Sequence, residues 1–223
     1  MTSTAITIEN VTKRYGEVTA LDDVSLEMRP GEFHGFVGPN GSGKTTMYRM
    51  IAGLTAPTEG TIDRGDATVG FSFQEPRFFP ELTVRQNIEV FRSFDDDPEP
   101  DEYMESLIDD LRLRPAVHRR ASDVSGGFRK KLDLVLALIK KPEIVLLDEP
   151  LADVDDYSRR RILSFLEKYQ KEGRTVVVST HNVESFTDLF TRFSIIVDGE
   201  LLSDGDPESD VIGQYRRTLQ TVA

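Results

Sequence analysis

The stretch that decides this sequence is Gly38-Pro39-Asn40-Gly41-Ser42-Gly43-Lys44-Thr45. A short apolar run, residues 33–37, precedes it and reads as a buried strand, while residues 46–53 read as a helix. Strand, Gly-rich loop, Lys-Thr and helix together form the context that a phosphate-binding loop needs. Glycines let the backbone curl tightly enough to aim successive N–H groups at phosphate oxygens, and the helix N-terminus adds partial positive charge. Residues Gly38, Pro39, Asn40, Gly41, Ser42, Gly43, Lys44, Thr45 and Thr46 are therefore the expected phosphate cradle. Lys44 is expected to reach the terminal phosphates, and the Thr45 hydroxyl to ligate Mg²⁺.

A second signal lies downstream. Residues 144–147 are continuously aliphatic and run straight into Asp148-Glu149. A nucleotide hydrolase needs one acid beside Mg²⁺ and one group to orient or deprotonate the attacking water. The carboxyl end of a strand in an α/β sheet is where ligands bind, so both acids are expected beside the phosphate loop. Asp148 is assigned to the metal through its water shell and Glu149 to the water.

Around these two anchors the pattern alternates. Residues 5–11 and 18–28 mix apolar and polar positions in the manner of half-exposed antiparallel strands. Residues 61–62 and 68–73 read as further strands, the latter ending at Gln74. From Leu82 the period becomes helical, with Val84, Ile88 and Phe91 on one face. The acidic residues 95–102 read as a loop too densely charged to pack, and Met104, Leu107, Ile108 and Leu111 as an amphipathic helix. Ser125 is expected to cap a helix running to about Lys140. Residues 158–172 and 183–190 read as helices, residues 175–179 as a β-branched strand, and residues 194–197 and 200–202 as a hairpin around Asp198-Gly199. A short C-terminal helix is expected within residues 207–219.

Buried strands alternating with helices argue an α/β fold. The expected fold is a P-loop NTPase core with a mainly parallel sheet, an N-terminal antiparallel β subdomain and an inserted α-helical subdomain. Residues 1–223 are read as a single domain, with roughly residues 78–140 forming the helical part.

Composition narrows the function. The chain has 223 residues and a formal net charge of −12, the opposite of the balance that nucleic-acid binding requires. It contains no cysteine, so neither disulfides nor thiolate metal sites are available. No charged-then-apolar leader opens it; the first ten residues read as the polar start of a strand. Apolar runs such as residues 135–139 fall far short of the about 20 residues that span a bilayer. A soluble, intracellular protein is expected. The acidity fits both a salt-rich host cytoplasm and an ordinary acidic protein.

At this point the residues resemble a family. From about Ile6 to Gly205 the chain is similar to the ATP-binding subunit of ABC transporters, with the motifs in that family's order. Tyr15, in Lys13-Arg14-Tyr15-Gly16, matches the aromatic that stacks on adenine. Gly38 to Thr45 matches Walker A, and Gln74, before Glu75-Pro76, matches the Q-loop glutamine that senses Mg²⁺ and the attacking water. Val124-Ser125-Gly126-Gly127-Phe128 matches the signature, whose Ser125, Gly126 and Gly127 would contact a phosphate. Residues 144–149 match Walker B with Glu149 as catalytic glutamate. Ala152-Asp153-Val154-Asp155 matches the D-loop, and His181, in Ser179-Thr180-His181-Asn182, matches the switch histidine at the γ-phosphate.

The resemblance implies Glu149, His181, Lys44 and Gln74 as catalytic residues, ATP as ligand and Mg²⁺ held by Thr45, Gln74 and Asp148. It implies a head-to-tail dimer, with itself or a related ATPase subunit, in which the signature of each subunit closes the other's site. It also implies a separate transmembrane permease, docked in a groove beside Gln74 and residues 78–124, where Phe78, Phe79 and Pro80 are candidate contacts. The cassette would then sit on the cytoplasmic face of the cell membrane. Export is favoured over import, because residues 82–87 and 131–134 look like exporter subunits, although residues 73–77 also occur in importers. A soluble ABC ATPase driving assembly or remodelling is the alternative. Three departures stand out: Val124 in place of the usual Leu, Phe128 in place of Gln, and Ala152-Asp153 in the D-loop.

Overall fold

A computed structural model describes residues 5–207 and 210–220. The expected strand start therefore falls outside the described residues at positions 1–4, as do positions 208–209 of the expected C-terminal helix.

Two sheets form the frame. The first is three-stranded and antiparallel, in the order β2-β1-β4, from β1 (Ile6–Tyr15), β2 (Val18–Met28) and β4 (Glu59–Asp63). The second is six-stranded, in the order β5-β6-β7-β3-β8-β9. Its strands β3 (Phe33–Val37), β5 (Val69–Ser72), β6 (Ile144–Asp148), β7 (Thr175–Thr180) and β8 (Arg192–Val197) are parallel. The edge strand β9 (Glu200–Gly205) returns antiparallel from β8. This is the expected α/β architecture, with β3 at the inside of the parallel sheet and the phosphate loop at its carboxyl end.

The inner strands β3, β6 and β7 are buried at every position, and mostly apolar, because both faces are covered. Val145, Leu147, Val176 and Val178 turn to one core, which continues into the helices. Ile144, Leu146, Val177 and Phe36 turn to the other, which joins α1 (Lys44–Ile51) and the antiparallel sheet. One strand thus seals two cores, by the period-2 alternation of side chains.

Between β5 and β6 the chain is helical: α2 (Val84–Arg92), α3 (Asp101–Asp110) and α4 (Gly126–Leu138). Thr83 and Gln86 close a reciprocal capping box at the start of α2. The acidic segment is not wholly a loop. Asp101 and Glu102 open α3, where two carboxylates suit the positive end of the helix. After β6 come α5 (Asp156–Lys171), β7 and finally α6 (Val211–Gln220), which begins later than expected.

Residues 183–190 correct a helical expectation. Only a short 3₁₀ turn, Val183–Ser185, forms there. Phe186 and Phe190, four apart as on a helix face, are buried with their rings stacked at 5.8 Å and both packed on Phe33. Their separation, compatible with a helix, instead serves a turn wrapped on β3. Gly35 makes room: a Cβ there would lie 2.4 Å from the Phe190 ring.

Candidate functional site

The loop after β3 owes its shape to backbone freedom at two glycines. Gly38 packs so closely on β8 that a Cβ would lie 2.0 Å from the Ile196 carbonyl oxygen. Gly43 holds φ at +103° and occupies the cap position of α1 with no side-chain cap, leaving the first N–H groups of the helix to face the loop. Ser42 is buried, and its Oγ has no protein partner.

Lys44 is buried and folds back on its own loop, where Nζ donates to the carbonyls of Gly38 and Pro39 at 2.8 Å each. Burial pulls its pKa below the usual lysine value, while Glu149 and Asp148 push the other way. The Thr45 hydroxyl donates to Asp148 Oδ2 at 2.9 Å. The other oxygen of Asp148 accepts from the Ser179 hydroxyl. Ser179 stands opposite Asp148 in the β6–β7 register and also supplies the carbonyl that accepts the Glu149 N–H at 3.1 Å.

Glu149 itself takes the left-handed conformation, φ +48°, unusual for a residue with a side chain. Its Oε1 lies 2.8 Å from His181 Nδ1 and accepts the His181 backbone N–H at 3.0 Å. Beneath the two acids lies Tyr48, fully buried, its hydroxyl without a partner. Burial first, then Asp148 and Glu149, push that phenol well above its ordinary pKa.

One cleft of about 400 Å³ gathers Asn40, Gly41, Ser42, Gly43, Lys44, Thr45, Thr46, Gln74, Asp148 and Glu149. These are most of the expected phosphate, metal and water residues, brought together from three strand ends; Gly38, Pro39 and His181 are not in the lining. Tyr15 is not in its lining. It ends β1, about half exposed, paired with Val18 and with Lys13 Nζ 5.0 Å above its ring. Ala20, farther along β2, does line the cleft.

Ser125, Gly126 and Gly127 also lie outside it. Ser125 holds the cap position of α4 but its side chain makes no cap bond, so the expected cap is positional only. Gly126 lines a second cleft, of about 350 Å³, with Phe78, Lys130, Ala152 and Asp153; Gln74 lines both. Asp155 caps α5, accepting the Ser158 N–H at 2.9 Å, and this bond holds its carboxyl below the usual range. Among the candidate contacts near the helices, Phe78 is half-buried against the core while Phe79 and Pro80 are exposed. A larger cleft of about 510 Å³, between Arg64, Asp66, Glu143 and Arg174, contains none of the expected site residues.

Three residues escaped the sequence reading: Ser179, and Lys130 and Asp133 on α4. Ser179 was findable, because a parallel strand beside β6 must place some side chain against Asp148. Lys130 and Asp133 gave no signal beyond two charges in an apolar helix.

The donors that converge here are all oxygens: the Thr45 hydroxyl, the Asp148 carboxylate and the Gln74 amide. That set fits Mg²⁺, which keeps several waters and takes few protein ligands. Among the described residues there is no cluster of three or more His, Cys, Asp or Glu of the kind a cage for a transition metal would use.

Comparison with known proteins agrees with this geometry. The family profile described as ABC transporter matches residues 21–152. Nod factor export ATP-binding protein I of Paraburkholderia xenovorans is 34% identical over 222 residues, covering 94% of this chain and 73% of that protein. Its namesake in Rhizobium etli is 33% identical over 220 residues, covering 93% of this chain and 70% of that protein. A bacterial ABC transporter cassette solved as a dimer superposes with a TM-score of 0.80 at 30% identity, over 90% of this chain and 98% of that one. The same cassette is known in a post-hydrolysis state with ADP and Pi bound, with a TM-score of 0.79 at 28% identity. With a phosphate loop, a paired Asp-Glu strand end and a match over more than half its length, the chain belongs to the ABC transporter family, as one of its ATP-hydrolysing cassettes.

Proposed function

We propose that this cassette pairs head to tail with a second copy or a related subunit and powers export through a separate membrane permease. The observation that carries the pairing is the division of the expected contacts. Lys44, Thr45, Gln74, Asp148 and Glu149 share one cleft, whereas Ser125 and Gly126 open α4 outside it. A chain built this way offers half of one nucleotide site and half of another. The dimeric state of a cassette 30% identical to it supports the same reading.

Hydrolysis then follows from the residues in the cleft. ATP phosphates bind the N–H groups of residues 40–46, and Lys44 exchanges the Gly38 and Pro39 carbonyls for phosphate oxygens. The loop N–H groups, already in place, act without reorganisation as charge develops. Glu149 accepts the proton of the attacking water, and His181 holds that carboxylate in place through two contacts on Oε1. Thr45 and Asp148, with Gln74, would hold Mg²⁺, which neutralises phosphate charge when bound. Closure of the dimer around two ATP molecules and its release after hydrolysis are the mechanical output.

The permease reading draws on three supports. Among the described residues no helix is long and apolar enough to cross a membrane. Phe79 is exposed although its backbone is pinned by the buried Asn87, whose Oδ1 accepts the Phe79 N–H and whose Nδ2 donates to the Phe79 carbonyl. Phe79, Phe91 and Phe94 run in a chain of ring contacts beside it, and Phe94 is exposed. Export is favoured by the names of the relatives, which are export ATP-binding proteins. On this reading the cassette lies at the cytoplasmic membrane face.

The test is light scattering on Glu149→Gln with and without ATP, followed by co-purification from membranes. An ATP-dependent dimer and a co-purifying multi-span protein are expected. A monomer that binds ATP without pairing counts against self-association. Recovery only with soluble partners would favour a role in assembly or remodelling.

A further inference from the structure

The middle of α4 carries a feature that neither phosphate binding nor packing requires. Lys130 and Asp133, three apart and so on one face of the helix, are both buried among Leu132, Leu134 and Val135. Both are spent on the segment that leaves β5. Lys130 Nζ donates to the Phe73 carbonyl at 3.1 Å and the Gln74 carbonyl at 2.5 Å. Asp133 Oδ2 accepts the Phe73 N–H at 3.0 Å and the Ser72 hydroxyl, and Oδ1 accepts the Arg77 N–H at 3.1 Å. Every backbone polar group named here belongs to residues 73–77, the loop that presents Gln74.

The two buried charges are satisfied by polar groups of the loop and of β5, and desolvation offsets most of what those bonds contribute to stability. An apolar pair of similar volume would serve packing as well. What the pair supplies is geometry: four polar contacts hold the Gln74 loop, and a fifth the Ser72 end of β5, on α4, whose first residues are Gly126 and Gly127. The Gln74 loop and α4 are therefore tied to each other directly.

We infer that Lys130 and Asp133 are positioning residues that fix Gln74 to the signature helix, so that engagement of Ser125–Gly127 by a phosphate sets the place of Gln74 in this chain's own cleft. The inference rests on the reading of Gln74 and the signature as parts of nucleotide sites. It involves no covalent step by Lys130 or Asp133.

The test is a double-mutant cycle on the full chain, measured as kcat, KM for ATP and the Mg²⁺ concentration giving half-maximal turnover. Gln74→Ala and Asp133→Ala are each expected to lower kcat on the order of 10- to 100-fold, the size of effect that follows misplacement of a catalytic group. KM is expected to stay within about threefold, because Lys44 and the loop amides are untouched. Both variants should demand more Mg²⁺, and the double variant should be no slower than the slower single one.

Losses that multiply in the double variant would make Asp133 merely structural and overturn the inference. So would wild-type kcat in both Asp133→Ala and Lys130→Gln. If Gln74→Ala alone turns over normally, the reading of Gln74 fails and the clamp falls with it. Should Asp133→Ala not fold, Asp133→Asn keeps the shape but turns an N–H donor toward the Phe73 or Arg77 amide, and the same cycle is run on it.

Discussion

His181 Nδ1 lies 2.8 Å from Glu149 Oε1, and the His181 backbone N–H donates to the same oxygen at 3.0 Å. The two residues come from the ends of neighbouring parallel strands, β6 and β7, so the contact is set by sheet register rather than by chain proximity. Glu149 bends into the left-handed region to make it, a conformation costing of order 1–3 kcal/mol. Its N–H is held by the Ser179 carbonyl and its own carbonyl by the Ala152 N–H, which keeps the bend in place.

That arrangement predicts the behaviour of Glu149→Gln. Glutamine keeps an oxygen for the His181 contacts but cannot accept the proton of water. Phosphate release should fall by about 10²- to 10⁴-fold, the range for loss of a general base, while ATP binding persists. Phosphate-release kinetics beside nucleotide titration provide the check; near-normal turnover would remove Glu149 from the chemistry.

Lys44 offers a second prediction. Its ammonium is already satisfied by the Gly38 and Pro39 carbonyls, so the loop does not depend on phosphate for its shape. Lys44→Ala should therefore fold with an unfolding midpoint near wild type yet lose measurable ATP binding. A variant that binds ATP as tightly as wild type would refute the assignment.

The third concerns Thr45 and Asp148. Thr45→Ala removes the hydroxyl that donates to Asp148 Oδ2, but Ser179 still holds Oδ1. The acid should stay in place with one oxygen ligand gone from its side. Turnover is expected to require a higher Mg²⁺ concentration and to vanish in EDTA in both forms. An unchanged Mg²⁺ requirement would take Thr45 out of the metal site.

Much of this was legible in local sequence. The phosphate loop and the Asp-Glu strand end declare themselves because each needs its residues contiguous, and residues 144–147 are apolar throughout, with residues 33–37 apolar apart from His34, because both faces of the sheet are covered. What escaped was whatever depends on register or on a helix's partner. Ser179 reads as one more small residue until β7 is laid beside β6. Phe186 and Phe190 carry a helical spacing that a turn packed on β3 satisfies equally. Asp155 matches a nucleotide-proximal motif, yet its carboxylate caps α5. Lys130 and Asp133 lie in a helix whose apolar pattern gives no reason to expect buried charge.

Phe128, where the family usually has glutamine, has found another partner. Lys131 is buried with its Nζ 5.1 Å from the Phe128 ring and 5.8 Å from that of Tyr157, which joins the start of α4 to the start of α5. Each such contact contributes about 0.5–1 kcal/mol near a surface. Phe128→Gln should lower the unfolding free energy by about that much, and the loss should shrink when Lys131→Met is already present. Denaturant unfolding of the two singles and the double gives the coupling; a coupling near zero would leave Phe128 a surface ring.

Asp133 predicts a pH dependence whose sign is fixed by its surroundings. Burial pushes its carboxyl above the usual carboxylate range, against the Ser72 hydroxyl, the Arg77 amide, the Lys130 charge and the Phe73 amide. The folded chain then holds this proton to higher pH than the unfolded chain, whose aspartates titrate near 3.9. Between the two values the folded state binds more protons, so Asp133 lowers stability progressively as pH rises through that window and no further above it. Burial lowers the pKa of the neighbouring Lys130, against Asp133, Asp148, Glu149 and Asp153, and Lys130 is present in both proteins compared below. Asp133→Asn removes the titration. The stability of wild type minus that of the variant, from urea midpoints between about pH 4 and pH 7, should therefore decline with pH and then level. A difference that rises across the same interval would mean that the contacts to the Gln74 loop outweigh burial and hold the carboxylate charged.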